Sequence, residues 1–279
     1  MTASRAEWLA LALLALLCLA AFSWPVWRAQ FFLEIDLKEA WVAFQVRALR
    51  LHDLYPPANG IISNNYPPLF FLLVDLVAGR HGDVIIIGRV LSLIATGVNA
   101  LCIAVVISRF NGSAAGAILG ALWFVGTLSR YSEHYVGMND PELLGLAFMM
   151  IGLTLIAKDR VRWMWLGLFL VVAGGFFKNS LVATPLAALY LVFLTRGLTT
   201  MTGAMVLTVM TSIAGLAICA FCFGPNFLPQ LLFYPRDISL WHALASLERL
   251  GSFSLWPPEH WPTFSGNLPI RSTSTPSSN

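Results

Sequence analysis

The stretch VIIIGRVLSLIATGVNALCIAVVI, residues 84–107, decides the fold class because it is long and apolar enough to cross a lipid bilayer. A membrane-spanning helix needs about 20 predominantly apolar residues, and the one charged residue in this stretch is Arg89. Of the 279 residues in the whole chain, 58% are hydrophobic and 11% are charged, whereas soluble domains are about 25% charged. This composition excludes an ordinary soluble enzyme and a disordered chain. The small net charge of +3, with scattered basic residues, excludes a nucleic-acid partner.

Outward from residues 84–107, six further apolar stretches predict additional spans. They are Trp8–Trp27, Ala114–Leu128, Leu143–Ala157, Trp163–Phe177, Leu181–Leu194 and Ala204–Phe223. The first could instead be a secretory signal, but it lacks a convincing cleavage site and has Trp at both ends, as an interfacial aromatic belt requires. The sequence therefore predicts an all-α, polytopic transmembrane bundle of about seven spans that lies in the lipid bilayer.

The short apolar segment Pro67–Gly79 decides the topology. If it lies in the interface and the N-terminus is cytoplasmic, five basic residues fall in inside loops and two in outside loops, as the positive-inside rule expects. The inside residues are Arg109, Lys158, Arg160, Arg162 and Arg196, and the outside residues are Arg130 and Lys178. We therefore predict a multi-pass protein of the plasma (inner) membrane, with residues 28–83 as its first extracytoplasmic loop. Residues 1–224 form the membrane module, and residues 225–279 form an extracytoplasmic segment with a polar, disordered tail.

The first outer loop contains an amphipathic helix. Apolar residues recur from Leu37 to Leu51 in steps of three and four, which favours a helix along the membrane surface. Asp36 stands at its start and Glu39 has capping-box spacing. Asp36 is then either only an N-cap or also a catalytic carboxylate, because a helix N-terminus favours the ionised form that a general base needs.

The same loop continues with two Tyr-Pro-Pro units, at residues 55–57 and 66–68. Proline restricts its own φ angle and makes the preceding residue extended. Such a stiff segment could hold Asn65 and Tyr66 over a pocket, or it could simply start a helix.

Four further polar residues have two interpretations each. His134 and Asp140, in the second outer loop, are candidate ligands of a divalent metal, or they only solvate the loop and cap the next helix. Lys178 and Arg89 are candidate phosphate-binding cations, or they only extend their charged ends to water.

The ordered set of motifs resembles a known family. An Asp after the first span, an amphipathic helix, LYPP, YPPL, GRVLS, NDPELL and FFKNSLVATP follow one another over residues 7–195. This order resembles the GT-C-fold glycosyltransferases, in particular the bacterial relatives of the protein mannosyltransferases and the polyprenyl-phosphate mannosyltransferases. The resemblance implies that Asp36 is the catalytic base, Tyr66 opens the proline motif, Asp140 opens the span after the second loop, and Lys178 lies near the lipid phosphate.

The resemblance also implies the reaction. A hexosyltransferase of this type moves a sugar from a polyprenyl-phosphate donor to a hydroxyl of a glycan, a lipid or a protein at the extracytoplasmic face, with or without a divalent metal. Two departures leave alternatives open. Many family members have an Asp-Glu pair where Leu37 follows Asp36 here, so Glu34 is the runner-up base. The chain is also shorter than is usual in the family, which leaves an inactive or truncated relative as one alternative and a transporter or lipid-handling protein as another.

Overall fold

The computed structural model describes residues 4–57, 63–111, 113–158 and 160–233, and in this part of the chain all regular structure is helical. The helices are α1 (Arg5–Arg28), α2 (Leu37–Arg50), α3 (Leu69–Ala78), α4 (Val84–Asn111), α5 (Ala114–Tyr131), α6 (Pro141–Ile156), α7 (Val161–Gly175), α8 (Ala183–Arg196), α9 (Leu198–Phe223) and α10 (Phe227–Phe233). The predicted all-α membrane bundle is confirmed.

Three helices in the described ranges are long and apolar enough to cross a membrane, namely Arg5–Arg28, Val84–Phe110 and Leu198–Phe223. Each of the other predicted spans also corresponds to one helix, with ends that differ by a few residues. Of these, α6, α7 and α8 have only 14 to 16 residues. They rise about 21–24 Å, less than the hydrocarbon thickness of about 30 Å. The number of crossings therefore stays a prediction.

Helix α3, which covers most of Pro67–Gly79, is too short to cross a bilayer by itself. Its ten residues rise about 15 Å, and its interfacial position stays a prediction. It is joined to α2 by Arg50, whose Nε lies 2.5 Å from Asp75 Oδ1 and whose Nη2 donates to the Gly79 carbonyl at 2.6 Å. Helices α2 and α3 are thus directly connected through their side chains.

Helix α2 is amphipathic, as predicted, and its two faces differ in an informative way. Of the predicted apolar stripe, Leu37, Phe44 and Leu51 are exposed, whereas Ala48 is buried and Trp41 packs against the core. The opposite face, with Val42 and Val46, is fully buried in the core that α2 shares with α3 and α6. The stripe therefore contributes both to the core and to the exposed surface, while the other face anchors the helix to the bundle.

Helices α6 and α7 pack against each other through glycines. A Cβ atom added at Gly152 would lie 2.5 Å from the Gly167 carbonyl, and one added at Gly167 would lie 2.5 Å from the Gly152 carbonyl. Two turns further along the helices, Gly145 and Gly174 make the same reciprocal approach at 3.0 and 2.7 Å. On each helix the two glycines are seven residues apart, so they lie on the same face and the two backbones stay in contact along it.

The described residues belong to one compact unit. This unit extends past the predicted boundary at residue 224, because α10 packs on the first loop. Phe227 packs edge-on against Tyr55 with ring centroids 5.0 Å apart, and Gln230 Oε1 accepts from the Asn64 backbone N–H at 2.7 Å. The tail predicted within 225–279 lies outside the described residues from residue 234 onward.

Candidate functional site

A buried ion pair between Arg89 and Glu39 organises the end of the bundle at which the predicted site residues lie. Both side chains are fully buried. Arg89 Nε donates to Glu39 Oε1 at 2.9 Å, and Arg89 Nη2 donates to Glu39 Oε2 at 2.6 Å. The remaining guanidinium N–H groups donate to the backbone carbonyls of Ala29, Phe31 and Leu33. A guanidinium has five N–H donors, and all of them are engaged within the protein.

This geometry corrects the predicted phosphate-binding role of Arg89. With no exposed surface and no N–H left to donate, Arg89 has no means of contacting a lipid phosphate. Its charge is instead compensated by Glu39, which makes the pair a structural element that joins α2 to α4.

The Glu39 carboxylate also positions the segments that contain the two predicted acids. Its Oε2 accepts from the Ile35 backbone N–H at 2.7 Å, and its Oε1 accepts from the Asn139 backbone N–H at 2.8 Å. Ile35 precedes Asp36 and Asn139 precedes Asp140. A single carboxylate therefore fixes the backbone next to both acids, although they are about 100 residues apart in sequence.

Asp36 is the N-cap of α2, since its Oδ1 accepts from the Lys38 backbone N–H at 2.8 Å. The predicted capping box is wrong. Its second half requires the Glu39 side chain to accept from the Asp36 N–H, whereas that carboxylate is used by Arg89, Ile35 and Asn139. Asp36 is half-buried, while Glu34, the runner-up base, is exposed in the preceding loop.

Lys178 lies between two carboxylates at the start of α6. Its Nζ donates to Asp140 Oδ1 at 2.9 Å and to Glu142 Oε2 at 2.8 Å. Burial lowers the pKa of Lys178, but the charges of Asp140 and Glu142 and the proximity of Tyr66 outweigh burial and raise the pKa above its ordinary value. Lys178 therefore stays protonated, and its charge is already balanced by acids.

Tyr66 covers this lysine. The Lys178 Nζ lies 5.3 Å from the centroid of the Tyr66 ring, which also packs edge-on against Trp41 at 5.1 Å. Burial raises the pKa of the Tyr66 phenol, and the charge of Lys178 opposes that shift. The adjacent Asn65 contributes its backbone carbonyl, which accepts from the Asn179 side chain at 3.3 Å. The prolines after Tyr66 lead directly into α3, so this motif also starts a helix, the alternative that the sequence left open.

Tyr135 connects the first loop to this cluster. Its hydroxyl contacts Lys38 Nζ at 3.4 Å, and the Lys178 Nζ lies 6.0 Å from its ring centroid. Burial lowers the pKa of Lys38, but Tyr135, Asp36 and Asp140 together raise it above its ordinary value. Two lysines and three carboxylates thus interact around one tyrosine ring.

Two polar side chains at the centre of the site keep unused hydrogen-bonding capacity. Asp140 Oδ2 and both side-chain polar atoms of Asn139 are buried and have no partner among the described residues. The Asn139 side chain lies directly over Gly88, where no Cβ atom fits. Buried polar atoms in proteins are nearly always hydrogen-bonded. The unpaired Asp140 Oδ2 can therefore accept a hydrogen bond from a group that enters the site.

The predicted metal ligands do not form a metal site in the described residues. No group of three or more His, Cys, Asp and Glu side chains comes together there. His134 is exposed and its ring packs on Tyr135 at 4.5 Å. The Lys178 ammonium occupies the position between Asp140 and Glu142 that a cation would need. The donor set thus does not fit a divalent ion.

Three residues of this cluster were not among the predicted site residues, namely Lys38, Tyr135 and Glu142. Glu142 had a usable signal, because it stands two residues after Asp140 at a helix N-terminus. Lys38 and Tyr135 gave no such signal, since they meet only through the tertiary structure.

Comparison with known protein families, curated proteins and solved structures finds no match for this chain.

Proposed function

We propose that this protein is a membrane glycosyltransferase that moves a sugar from a polyprenyl-phosphate donor to an acceptor hydroxyl at the extracytoplasmic face. The observation that supports this function is the convergence of Asp36, Lys38, Tyr66, Asp140 and Lys178 at one end of an apolar bundle. A polar site at the membrane edge suits a substrate whose tail lies in lipid and whose phosphate lies at the interface.

Asp36 is the proposed general base. It is half-buried, and its Oδ1 accepts from the Lys38 backbone N–H in the first turn of α2. It takes the proton of the acceptor hydroxyl as that oxygen bonds to the anomeric carbon. The bond from the anomeric carbon to the phosphate oxygen breaks, and its electron pair leaves with the lipid phosphate. A single displacement inverts the anomeric centre.

Lys38 takes the role of the exposed cation beside the leaving phosphate. Lys178 was the predicted phosphate ligand, but it is buried and shared between Asp140 and Glu142. Lys38 is exposed, lies near Asp36 and keeps a raised pKa, so it is charged at neutral pH. A positioned cation stabilises the negative charge that develops on the leaving phosphate. Lys178 then positions Asp140 rather than the substrate.

A transporter is the less favoured alternative. Transporters place ionisable groups near the bilayer midplane. In the three long apolar helices of the described chain, the charged residues lie in the first or last two turns, as Arg89 and Arg109 do in α4. Deep in α4 the polar residues Thr96 and Asn99 are uncharged, and the Asn99 side chain donates to the Leu143 carbonyl at 3.1 Å.

The deciding experiment compares Asp36→Asn with Glu34→Gln in purified protein supplied with a panel of radiolabelled polyprenyl-phosphate sugars. Asn caps helices as well as Asp does, so Asp36→Asn preserves the fold while it removes the base. Transfer should fall about 10²–10⁴-fold in Asp36→Asn and remain near wild type in Glu34→Gln. The reverse pattern would assign the base to Glu34. No transfer by the wild type from any donor in a broad panel would favour the inactive relative.

A further inference from the structure

A second polar cavity lies at the opposite end of the bundle from the candidate site. It has a volume of about 420 Å³ and is lined by the C-terminal ends of α4, α6 and α8. Asp140 caps the N-terminus of α6, whereas Ala157 in the cavity wall caps its C-terminus. The 16 residues of α6 rise about 24 Å, so the two sites lie at opposite ends of this helix.

All charged residues that line this cavity are basic, namely Arg109, Lys158 and Arg196. In the sequence, Asp159 follows Lys158, and Arg160 and Arg162 come next. This end of the bundle therefore carries an excess of positive charge even when Asp159 is counted.

Two of the cations are held in place by the protein. Arg196 Nη2 donates to the Lys158 backbone carbonyl at 2.7 Å, which fixes the guanidinium across the ends of α8 and α6. Arg196 Nε is buried and has no partner among the described residues. The Lys158 Nζ lies 4.6 Å from the centroid of the Trp163 ring, a cation–π contact that keeps the ammonium at the rim.

Helix dipoles account for only part of this charge. Each helix C-terminus carries about −0.5 elementary charge, so three of them together balance fewer than two cations. Even with Asp159 counted in full, the three cations that line the cavity exceed the negative charge by about 0.5 elementary charge. This positive excess favours an anion in the cavity.

We propose that this cavity binds the phosphate headgroup of an anionic phospholipid. Lysine offers a compact point charge and arginine offers a planar fork, a combination that suits a phosphodiester. Basic pockets between transmembrane helices bind such headgroups in membrane proteins. The cavity lining also includes apolar residues, and one of these, Phe110, is 59% exposed. These surfaces can contact acyl chains, which favours a lipid over a free phosphate ion.

The test is native mass spectrometry of the purified full chain titrated with phosphatidylglycerol, and with phosphatidylcholine of the same acyl chains. Each basic residue near a membrane surface contributes about fivefold to the affinity for an anionic lipid. Lys158→Gln should weaken phosphatidylglycerol binding about fivefold, and Lys158→Gln with Arg196→Gln about 25-fold. Lys158→Arg should retain wild-type affinity. Arg196 donates to the backbone carbonyl of Lys158 and not to its side chain, so Lys158→Gln preserves this hydrogen bond.

Arg160→Gln is the matched control, because Arg160 is exposed, lies outside the cavity and loses the same charge. It should leave the dissociation constant of phosphatidylglycerol unchanged. An equal loss of affinity in Arg160→Gln and Lys158→Gln would show that diffuse surface charge, and not a defined site, attracts the lipid. No loss in either variant, or equal affinity for the two lipids, would overturn the proposal. A third arm adds inorganic phosphate. If low millimolar phosphate displaces phosphatidylglycerol, the cavity takes the free ion and the lipid assignment is wrong.

Discussion

Replacing Glu39 with glutamine should destabilise the protein strongly, because this carboxylate is the acceptor for four N–H groups. Each of its oxygens accepts once from Arg89 and once from a backbone N–H, at distances of 2.6 to 2.9 Å. Whichever oxygen becomes an NH2 group, two hydrogen bonds are replaced by contacts between donors, and the buried Arg89 loses its counterion. Removing one partner of a buried ion pair costs about 3–5 kcal/mol. We expect the free energy of unfolding of Glu39→Gln to fall by that amount.

The assay is reversible unfolding in mixed micelles with increasing sodium dodecyl sulfate, followed by tryptophan fluorescence. The matched control is Asp75→Asn, which breaks the Arg50–Asp75 pair. The side chains of that pair are 35% and 33% exposed, and exposed pairs contribute about 0–1 kcal/mol. A Glu39→Gln loss no larger than that of Asp75→Asn would refute the structural role assigned to the buried pair. Replacing both Arg89 and Glu39 with methionine should recover part of the stability, because no unpaired charge then remains buried.

Three other outcomes are expected. The pKa of Lys178 is raised in the folded protein, so the protonated side chain adds to the free energy of unfolding. This contribution is fully present below the unfolded pKa of 10.5 and is lost as the pH rises through the folded pKa. The stability difference between wild type and Lys178→Met, measured by the same unfolding assay, should therefore be constant from about pH 7 to about pH 9 and shrink only in stronger alkali. Gly88→Ala places a methyl group in the space that the Asn139 side chain occupies, next to Asp140. It should lower the free energy of unfolding by about 1–3 kcal/mol and reduce sugar transfer. Gly97→Ala, in open space on the same helix, should cost neither stability nor transfer, and an equal effect of the two would contradict this packing. Thiols introduced at His134 and Arg160 in a cysteine-free variant should react with a membrane-impermeant maleimide from opposite sides, and labelling of both from one side would refute the topology.

Much of the fold could be predicted because lipid imposes a simple requirement on sequence. A helix that faces acyl chains needs a long apolar run, so Val84–Ile107 and Trp8–Trp27 were visible without any tertiary information. The helix starts at Asp36 and Asp140 were equally visible, since an aspartate before an apolar helix satisfies free N–H groups at its first turn.

The site was harder to predict because its contacts join distant segments. Arg89 stands alone in an apolar run, and nothing nearby in sequence shows that Glu39, 50 residues earlier, binds it. The spacing from Asp36 instead suggested a capping box for Glu39. Similarly, Lys178 was recognised as a cation near the interface, but its pairing with Asp140 depends on how α6 and α7 pack. Periodicity reports which face of a helix is apolar, whereas it does not report which polar residues meet.

The glycine contacts between α6 and α7 have a consequence for biogenesis. Because the two helices are adjacent in the chain and their backbones touch, the hairpin needs few other segments to close after insertion. Its closure brings Lys178 to the acids of the preceding helix, at 36 and 38 residues of separation. The lysine thus has its counterions from the time the hairpin closes, so newly made protein does not have to hold an isolated ammonium group against the bilayer while the remaining helices assemble.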